Sequence, residues 1–176
     1  MNNKSCYTKE DAYQTLNLIN EWTRSSDTKT SILMAFISIL FGFTLTAFDA
    51  ITYIKNSDNI TFLSVIIVIL IILYIISAAA SVVFSCMSLY ARLKYKNLKS
   101  NSIFYFGDIA KQDERDFIMK TSEVTEDNIV NDLKLQIAIN SRIAKCKLKY
   151  FNYGLISSIV LFFCAIILLV IVYSVL

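Results

Sequence analysis

Charged residues leave three long gaps in this chain, and apolar side chains fill each gap. Thr30 to Phe48, Asn59 to Ala91 and Tyr150 to Leu176 contain no Asp, Glu, Lys or Arg. An α-helix needs about 20 apolar residues to cross a hydrocarbon core of about 30 Å, and each run is long enough. The pattern therefore predicts three transmembrane helices separated by polar segments.

The composition agrees with this pattern, since 56% of the 176 residues are hydrophobic and none is proline. Such a chain is too apolar for an ordinary soluble domain and permits helix throughout. The predicted fold is all-α, a polytopic membrane protein with a cytoplasmic helical region formed by the N-terminal helix, the 92–149 segment and extensions of the spans. The predicted segments are residues 1–29 (cytoplasmic N-terminal helix), 30–48 (first span), 49–58 (extracytoplasmic loop), 59–91 (second span with a cytoplasmic stalk), 92–149 (cytoplasmic helical region) and 150–176 (third span).

The distribution of lysine and arginine predicts the orientation in the membrane. Met1 to Lys29 holds four of these cations, Asp49 to Asp58 holds one, and Arg92 to Lys149 holds twelve. Cytoplasmic loops carry the excess of cations, so the N-terminus and the middle segment are expected in the cytoplasm and the C-terminus outside. Eight carboxylates offset the cations of the middle segment, so no nucleic-acid partner is expected.

Local signals predict where the polar helices begin. Thr8 to Asp11 resembles a capping box, and the helix that it starts is expected to run to Phe48 unless Ser25 and Ser26 break it. Asp113 is expected to cap a short helix ending near Lys120. Thr125, followed by acids, is expected to cap a rod of about 50 residues that continues into the third span.

Small residues recur at every fourth position in all three predicted spans. Such rows let helix backbones approach closely in lipid. Two interpretations remain open, namely packing within one chain and contact between subunits of a homo-oligomer. The rows are Ser38, Gly42 and Thr46 in the first span, Ser77, Ser81 and Ser85 in the second, and Gly154 and Ser158 in the third.

Several kinds of chemistry are absent from the sequence. The chain has no histidine, phosphate-binding glycine loop or nucleophile elbow, and its four cysteines are isolated. We therefore expect no enzymatic activity, no metal and no cofactor. The three runs contain no acid or base that could relay protons, which disfavours an ion-coupled transporter.

Two polar motifs flank the predicted spans. In WTRSSDTK, Trp22 and Lys29 suit an interfacial anchor and a boundary cation, with Asp27 between them. In QIAINSRIAKCK, Gln136 and Asn140 adjoin an apolar stripe. These amides could fix the packing register or read a ligand.

The stretch SIFYFGDIA places aromatic residues in a polar segment. Phe104, Tyr105 and Phe106 suit a bundle core or a membrane-surface anchor, with Gly107 allowing a turn. Alternatively, one aromatic ring stacks on a flat base while the glycine backbone and nearby cations meet a phosphate.

The three motifs together, in this order and spacing, resemble the Pycsar transmembrane effector family over nearly the whole chain. The residues that match its motifs are Trp22, Asp27 and Lys29 in the first, Phe106, Gly107, Asp108 and Ile109 in the second, and Gln136, Ala144 and Lys147 in the third. Thr28 departs from the alanine expected there, and we expect no fused phosphohydrolase domain like that of some relatives.

The resemblance implies a bacterial antiphage effector of the inner membrane. A partner cyclase would make cyclic CMP (cCMP) or cyclic UMP (cUMP), and the effector, expected as a homo-oligomer in the lipid bilayer, would bind it through the cytoplasmic region and impair membrane integrity. Charge and position select Arg24, Lys29, Arg142 and Lys147 as phosphate partners, although they also suit ordinary positive-inside cations. The full set of candidate ligand contacts is Trp22, Arg24, Asp27, Lys29, Phe104, Tyr105, Phe106, Gly107, Asp108, Gln136, Asn140, Arg142 and Lys147.

Two other classes of function fit the same pattern. The first is a small toxin or holin-like protein that forms a pore without any ligand. The second is a membrane scaffold that presents its cytoplasmic helices to a protein partner. The large cytoplasmic part disfavours a simple pore-former, which would not need it.

Overall fold

A computed structural model describes residues 7–42, 52, 62–90 and 102–175. Five bounded helices lie within these residues, residue 52 is helical as well, and no strand occurs among them. The helices are α1 (Lys9–Gly42), α2 (Phe62–Tyr90), α3 (Phe106–Ile109), α4 (Glu114–Ser122) and α5 (Glu126–Val175).

The predicted capping box begins α1. The backbone N–H of Thr8 donates to Asp11 Oδ2 at 2.9 Å, and the N–H of Asp11 donates to Thr8 Oγ1 at 3.2 Å. The backbone and side-chain hydrogen bonds from Thr8 lower the pKa of Asp11. A lowered pKa means that this carboxylate helps the helix to start at pH values above 3.8, and that its contribution is lost as the pH falls through the folded-state pKa.

No break interrupts α1 at Ser25 and Ser26, so its predicted continuity is confirmed as far as Gly42. The predicted continuation to Phe48 lies outside the described residues. The long rod is confirmed as well, because α5 is one helix of 50 residues. Its predicted cap is present, since Asn128 N donates to Thr125 Oγ1 at 3.4 Å.

The cap predicted for the short helix takes another form. Asp113 occupies the N-cap position of α4, but its side chain makes no capping hydrogen bond. The backbone carbonyl of Asp113 accepts from Phe117 N at 3.0 Å instead. The start of α4 is therefore set by backbone hydrogen bonding and by two acids in its first turn, Glu114 and Asp116, which suit a helix N-terminus.

The chain divides into two compact units. Unit 1 comprises Met1–Ser26 and Ala91–Cys146, and unit 2 comprises Asp27–Tyr90 and Lys147–Leu176. Both α1 and α5 contribute residues to each unit, since neither helix ends at the division.

In the described part of unit 2, α1, α2 and α5 form a bundle in which α2 runs antiparallel to α1. Near one end of the bundle, Thr30 of α1 meets Ser88 of α2, with 3.1 Å between the hydroxyl oxygens. Towards the other end, the hydroxyl of Tyr74 donates to the carbonyl of Leu40 at 2.9 Å. The residue numbers rise along α1 as they fall along α2, which fixes the antiparallel direction.

In the same unit α5 runs parallel to α1. Gly154 lies against Leu33, and eight residues further along α5 the ring of Phe162 lies 6.0 Å from that of Phe36. Buried positions alternate at three- and four-residue spacing in the long helices, the pattern of knobs-into-holes packing in a left-handed supercoil. In unit 2 these positions are Thr30, Leu33, Ile37 and Leu40 in α1, Tyr74, Ala78, Ser81, Ser85 and Ser88 in α2, and Lys147, Gly154, Ser158, Leu161, Ala165 and Leu168 in α5.

Among the described residues, two helices are long and apolar enough to cross a membrane, over Ser64–Tyr90 and Glu126–Ile171. The outward face of α2 is aliphatic, as lipid contact requires. The first predicted span extends past Gly42, so part of it lies outside the described residues. The exposed aliphatic residues of α2 include Val65, Val68, Ile69, Ile72, Ile75 and Ile76.

Candidate functional site

An ion pair lies inside unit 2, at the end of the bundle where α1 and α5 enter it. Lys147 Nζ pairs with Asp27 Oδ1. The Lys147 side chain is only 1% exposed, whereas that of Asp27 is 33% exposed. The lysine is therefore the member of the pair that depends on its partner, because water can still reach the carboxylate.

Hydroxyl groups join α2 to this pair. The Ser88 hydroxyl donates to the backbone carbonyl of Lys147 at 3.0 Å and contacts Thr30 Oγ1 at 3.1 Å. Residues from all three helices thus meet at one level of the bundle. We call Asp27, Thr30, Ser88 and Lys147 the polar clasp.

A row of hydroxyls continues from the polar clasp along α2. Ser81 Oγ donates to the carbonyl of Gly154 at 3.2 Å and also contacts Ser158 Oγ. Ser85, one turn away, is fully buried, and its Oγ has no hydrogen-bond partner. We call Ser81, Ser85 and Ser88 the serine face of α2.

The structure separates the predicted rows of small residues into two kinds. The rows of α2 and α5 are buried within one chain, which supports the intramolecular interpretation for them. In α1, Ser38 is exposed and a Cβ at Gly42 would meet no atom within 4 Å. Thr46 lies outside the described residues.

In unit 1, a carboxylate of α5 holds the loop that contains the aromatic residues. Asp132 Oδ2 accepts from Ser102 Oγ at 2.9 Å and from Ile103 N at 2.8 Å. Ser102 Oγ in turn accepts from the backbone N–H groups of Phe104 and Tyr105. Both anchors were missed in the sequence, although serine hydroxyls often bond backbone N–H groups two or three residues further on in a turn. Asp132 has no comparable signal, since an isolated acid on a helix resembles a solvated one.

Of the three aromatic residues in this loop, Phe104 packs within unit 1. Phe104 contacts Tyr13 edge to face, with ring centroids 5.8 Å apart, which supports the core interpretation for Phe104. Tyr105 is exposed, and the Phe106 side chain lies outside the described residues.

Gly107 was expected to allow a turn through its conformational freedom, but it has no positive φ and lies within α3. A Cβ at Gly107 would instead lie 2.7 Å from a carbon of the Tyr105 ring, so the ring would have to move. The neighbouring Asp108 carboxylate accepts from Ser102 N at 3.3 Å and pairs with Lys111 at 3.5 Å.

Two amides on α5 have different surroundings. Asn140 Nδ2 donates to Asn20 Oδ1 at 3.3 Å, which joins α5 to α1 and supports the register interpretation. Gln136 is 4% exposed and its Nε2 has no hydrogen-bond partner. An unpaired buried donor is costly, which makes Gln136 the candidate most in need of a partner.

The remaining candidates lie at the surface. Trp22 is 61% exposed, and Arg24, Lys29 and Arg142 are exposed as well. In the part of the chain that the structure describes, no hydrogen bond, ion pair or ring contact joins Trp22, Phe104, Gln136 and Arg142 to one another. Among the thirteen candidates, the pair that the structure joins by opposite charges at the shortest distance is Asp27 and Lys147.

Replacing Asp132 by alanine is expected to release the aromatic loop from α5. The change removes two hydrogen bonds to a carboxylate, each worth about 1.5 to 3 kcal/mol. Hydrogen exchange of the 102–113 amides should accelerate, while exchange in unit 2 stays the same. Glu123→Ala removes an exposed carboxylate and serves as the control. Unchanged protection of the loop in Asp132→Ala would contradict the anchoring role.

Comparison with known proteins decides the family. The family model of the Pycsar effector protein domain matches residues 11–176. The chain belongs to the Pycsar effector family. The match includes the two helices that, among the described residues, are long and apolar enough to span a membrane, so the chain is a membrane effector of antiphage defence.

Two curated relatives agree with this assignment. The Pycsar effector protein GmPycTM of Gulbenkiania mobilis is 30% identical over 174 residues, covering 88% of this chain and 89% of the relative. The Pycsar effector protein PtPycTM of Propioniciclava tarda is 24% identical over 154 residues, covering 84% of this chain and 71% of the relative. No solved structure matches the chain.

Proposed function

We propose that this Pycsar effector binds a cyclic pyrimidine mononucleotide, cUMP or cCMP, through unit 1 and then impairs the bacterial inner membrane. Unit 1 and the N-terminus would lie in the cytoplasm, three helices of unit 2 would cross the bilayer, and the C-terminus would lie outside. The distribution of lysine and arginine supports this orientation. Membership of the family supports the antiphage role.

Gln136 is the observation in the structure that supports a ligand in unit 1. Its buried Nε2 is an unused donor. Uracil and cytosine both present ring or carbonyl acceptors, so an amide N–H can bind either base. Trp22 offers an exposed ring for stacking, and Arg24 and Arg142 offer exposed cations for the phosphate.

The candidates in unit 2 take a different role in this proposal. Lys147 is buried and paired with Asp27, so its ammonium is occupied in this conformation. We assign this pair to the polar clasp, while exposed Lys29 stays a boundary cation. The aromatic loop, with Phe104 to Asp108, would form a wall of the ligand site.

The long helices provide the physical link between binding and the membrane. Neither α1 nor α5 breaks between its unit 1 part and its unit 2 part, so a rotation at one end moves the other. Shifting a population from 1:99 to 99:1 needs about 5.5 kcal/mol of differential binding, which favours several sites acting together in a homo-oligomer.

Calorimetry with the purified protein tests the proposal. We expect heat of binding from cUMP, cCMP or both, and leakage of ions from proteoliposomes when that nucleotide is added. Gln136→Met should weaken binding by about tenfold or more, because it removes the donor at nearly constant volume. The same change at exposed Gln14 is the control.

Three results would contradict parts of this proposal. Absence of binding by either nucleotide at high concentration would remove the ligand. Leakage that ignores the nucleotide would indicate a ligand-independent pore-former. A stable protein partner without any leakage would indicate a scaffold.

A further inference from the structure

We propose that the serine face of α2 becomes the wall of a water-filled path when the effector is activated, so that ions cross the membrane along α2 rather than through disordered lipid. This inference rests on the proposed membrane impairment and identifies the place where it occurs. The serine face consists of Ser81, Ser85 and Ser88, each fully buried in the described conformation.

The first observation is that polarity inside unit 2 is concentrated on one side of a helix that otherwise suits lipid. The opposite side of α2 is aliphatic and exposed, as at Ile72 and Ile76. Polar side chains within membrane helices are costly unless they bond to one another or line an aqueous cavity. The serine face is thus the side of α2 that water could cover most easily.

The second observation is the unpartnered hydroxyl of Ser85. Ser81 and Ser88 donate to backbone carbonyls of α5, whereas Ser85 Oγ is buried without a hydrogen-bond partner. Packing alone does not require a hydroxyl there, because an alanine would fill nearly the same volume. A hydroxyl at this position has a use if water reaches Ser85 in the activated conformation.

The third observation is that the two ends of the bundle differ. The polar clasp closes the end next to the serine face, with the Lys147 ammonium held by Asp27. The far end is sealed by apolar residues, among them Leu40, Ile67 and Leu168. Hydrophobic constrictions close pores by excluding water. In the described conformation the path is therefore shut by an ion pair at one end and by apolar contact at the other.

Separation of α2 from α5 would open this path at modest cost. Along the serine face itself, the bonds that break are hydroxyl contacts, and water replaces them nearly in kind. The same separation across an apolar seam would expose hydrocarbon to water, which is far less favourable. The occupants of the path are water and small ions, since hydroxyls and backbone carbonyls line it.

Cysteine labelling of the full chain in proteoliposomes tests the inference. The background carries alanine at Cys6, Cys86, Cys146 and Cys164, and its nucleotide-dependent leakage is confirmed first. Ser85→Cys and Ser81→Cys are then treated with a charged methanethiosulfonate reagent, which reacts only in water. Ile76→Cys, on the exposed aliphatic side of α2, is the matched control.

We expect cUMP or cCMP to accelerate labelling of Ser85→Cys and Ser81→Cys by about tenfold or more, and to leave Ile76→Cys unlabelled. A double replacement of Ser81 and Ser85 by alanine, which leaves the polar clasp intact, should reduce leakage by about tenfold with unchanged nucleotide binding. Binding with leakage but without labelling of the serine face would overturn the water path alone. Absence of binding and leakage would overturn the proposed function together with it.

Discussion

Asp27→Asn is expected to destabilise the protein more than Lys147→Met, the corresponding change at its partner. The substitution leaves the Lys147 ammonium, which is 1% exposed, without its carboxylate. An uncompensated buried charge costs about 3 to 5 kcal/mol. Lys147→Met removes the charge and keeps most of the stem volume, and the remaining Asp27 is 33% exposed, so water can solvate it at a cost of about 1 kcal/mol.

Unfolding of the purified variants in bicelles would measure this asymmetry. The double variant Asp27→Asn/Lys147→Met should be close in stability to Lys147→Met alone, because it leaves no buried charge. Lys29→Met, a change at an exposed cation, is the control. Because the polar clasp closes one end of the proposed path, we also expect Asp27→Asn to leak ions without nucleotide. Equal losses for Asp27→Asn and Lys147→Met would show that the lysine does not depend on this pair.

Gly154→Leu is expected to push α2 away from α5. A Cβ at position 154 would lie 3.2 Å from Ser85 Oγ and 3.5 Å from Leu33 Cδ2. These distances leave no room for a branched side chain, and helices in lipid rely on such close approach. Overpacking costs about 1 to 3 kcal/mol, with leucine at or above the upper end and alanine near the lower end.

Gly42 supplies a matched control for this position. A Cβ there would meet no atom within 4 Å, and it also lies within a helix. Gly42→Ala should therefore be neutral or slightly stabilising, since alanine is the better helix former by about 1 kcal/mol. Thermal unfolding in detergent and leakage without nucleotide would be measured for the substitutions at Gly154 and at Gly42. Comparable stability of Gly154→Leu and Gly42→Leu would contradict the close packing of α2 against α5.

Local sequence signals predicted the helices well, because helix starts and helix continuity depend on residues that are close in sequence. The Thr8 and Asp11 capping box, the Thr125 cap and the length of α5 all depend on residues within a few positions of one another. The serine row of α2 was visible as a repeat of small residues. Its partners on α5 were not predicted, since they lie 59 to 77 residues away along the chain.

The candidate site was predicted only as separate motifs. Asp27 and Lys147 were selected from different segments, and their pairing across 120 residues was not predicted. The role of Asp132 was missed because an acid on a helix resembles a solvated one until its loop partners are known. The burial of Gln136 was likewise invisible, although its adjacency to the apolar stripe made it a candidate.

By itself, the sequence determined that this is a helical membrane protein with capped polar helices, and its motifs indicated the family. Those properties follow from hydropathy, spacing and short-range hydrogen bonding, which act along the chain. Only the tertiary structure decided which polar groups are buried, which of them pair, and that Ser85 has no partner. Burial and pairing depend on the approach of residues from different helices, and no pattern within one helix specifies that approach.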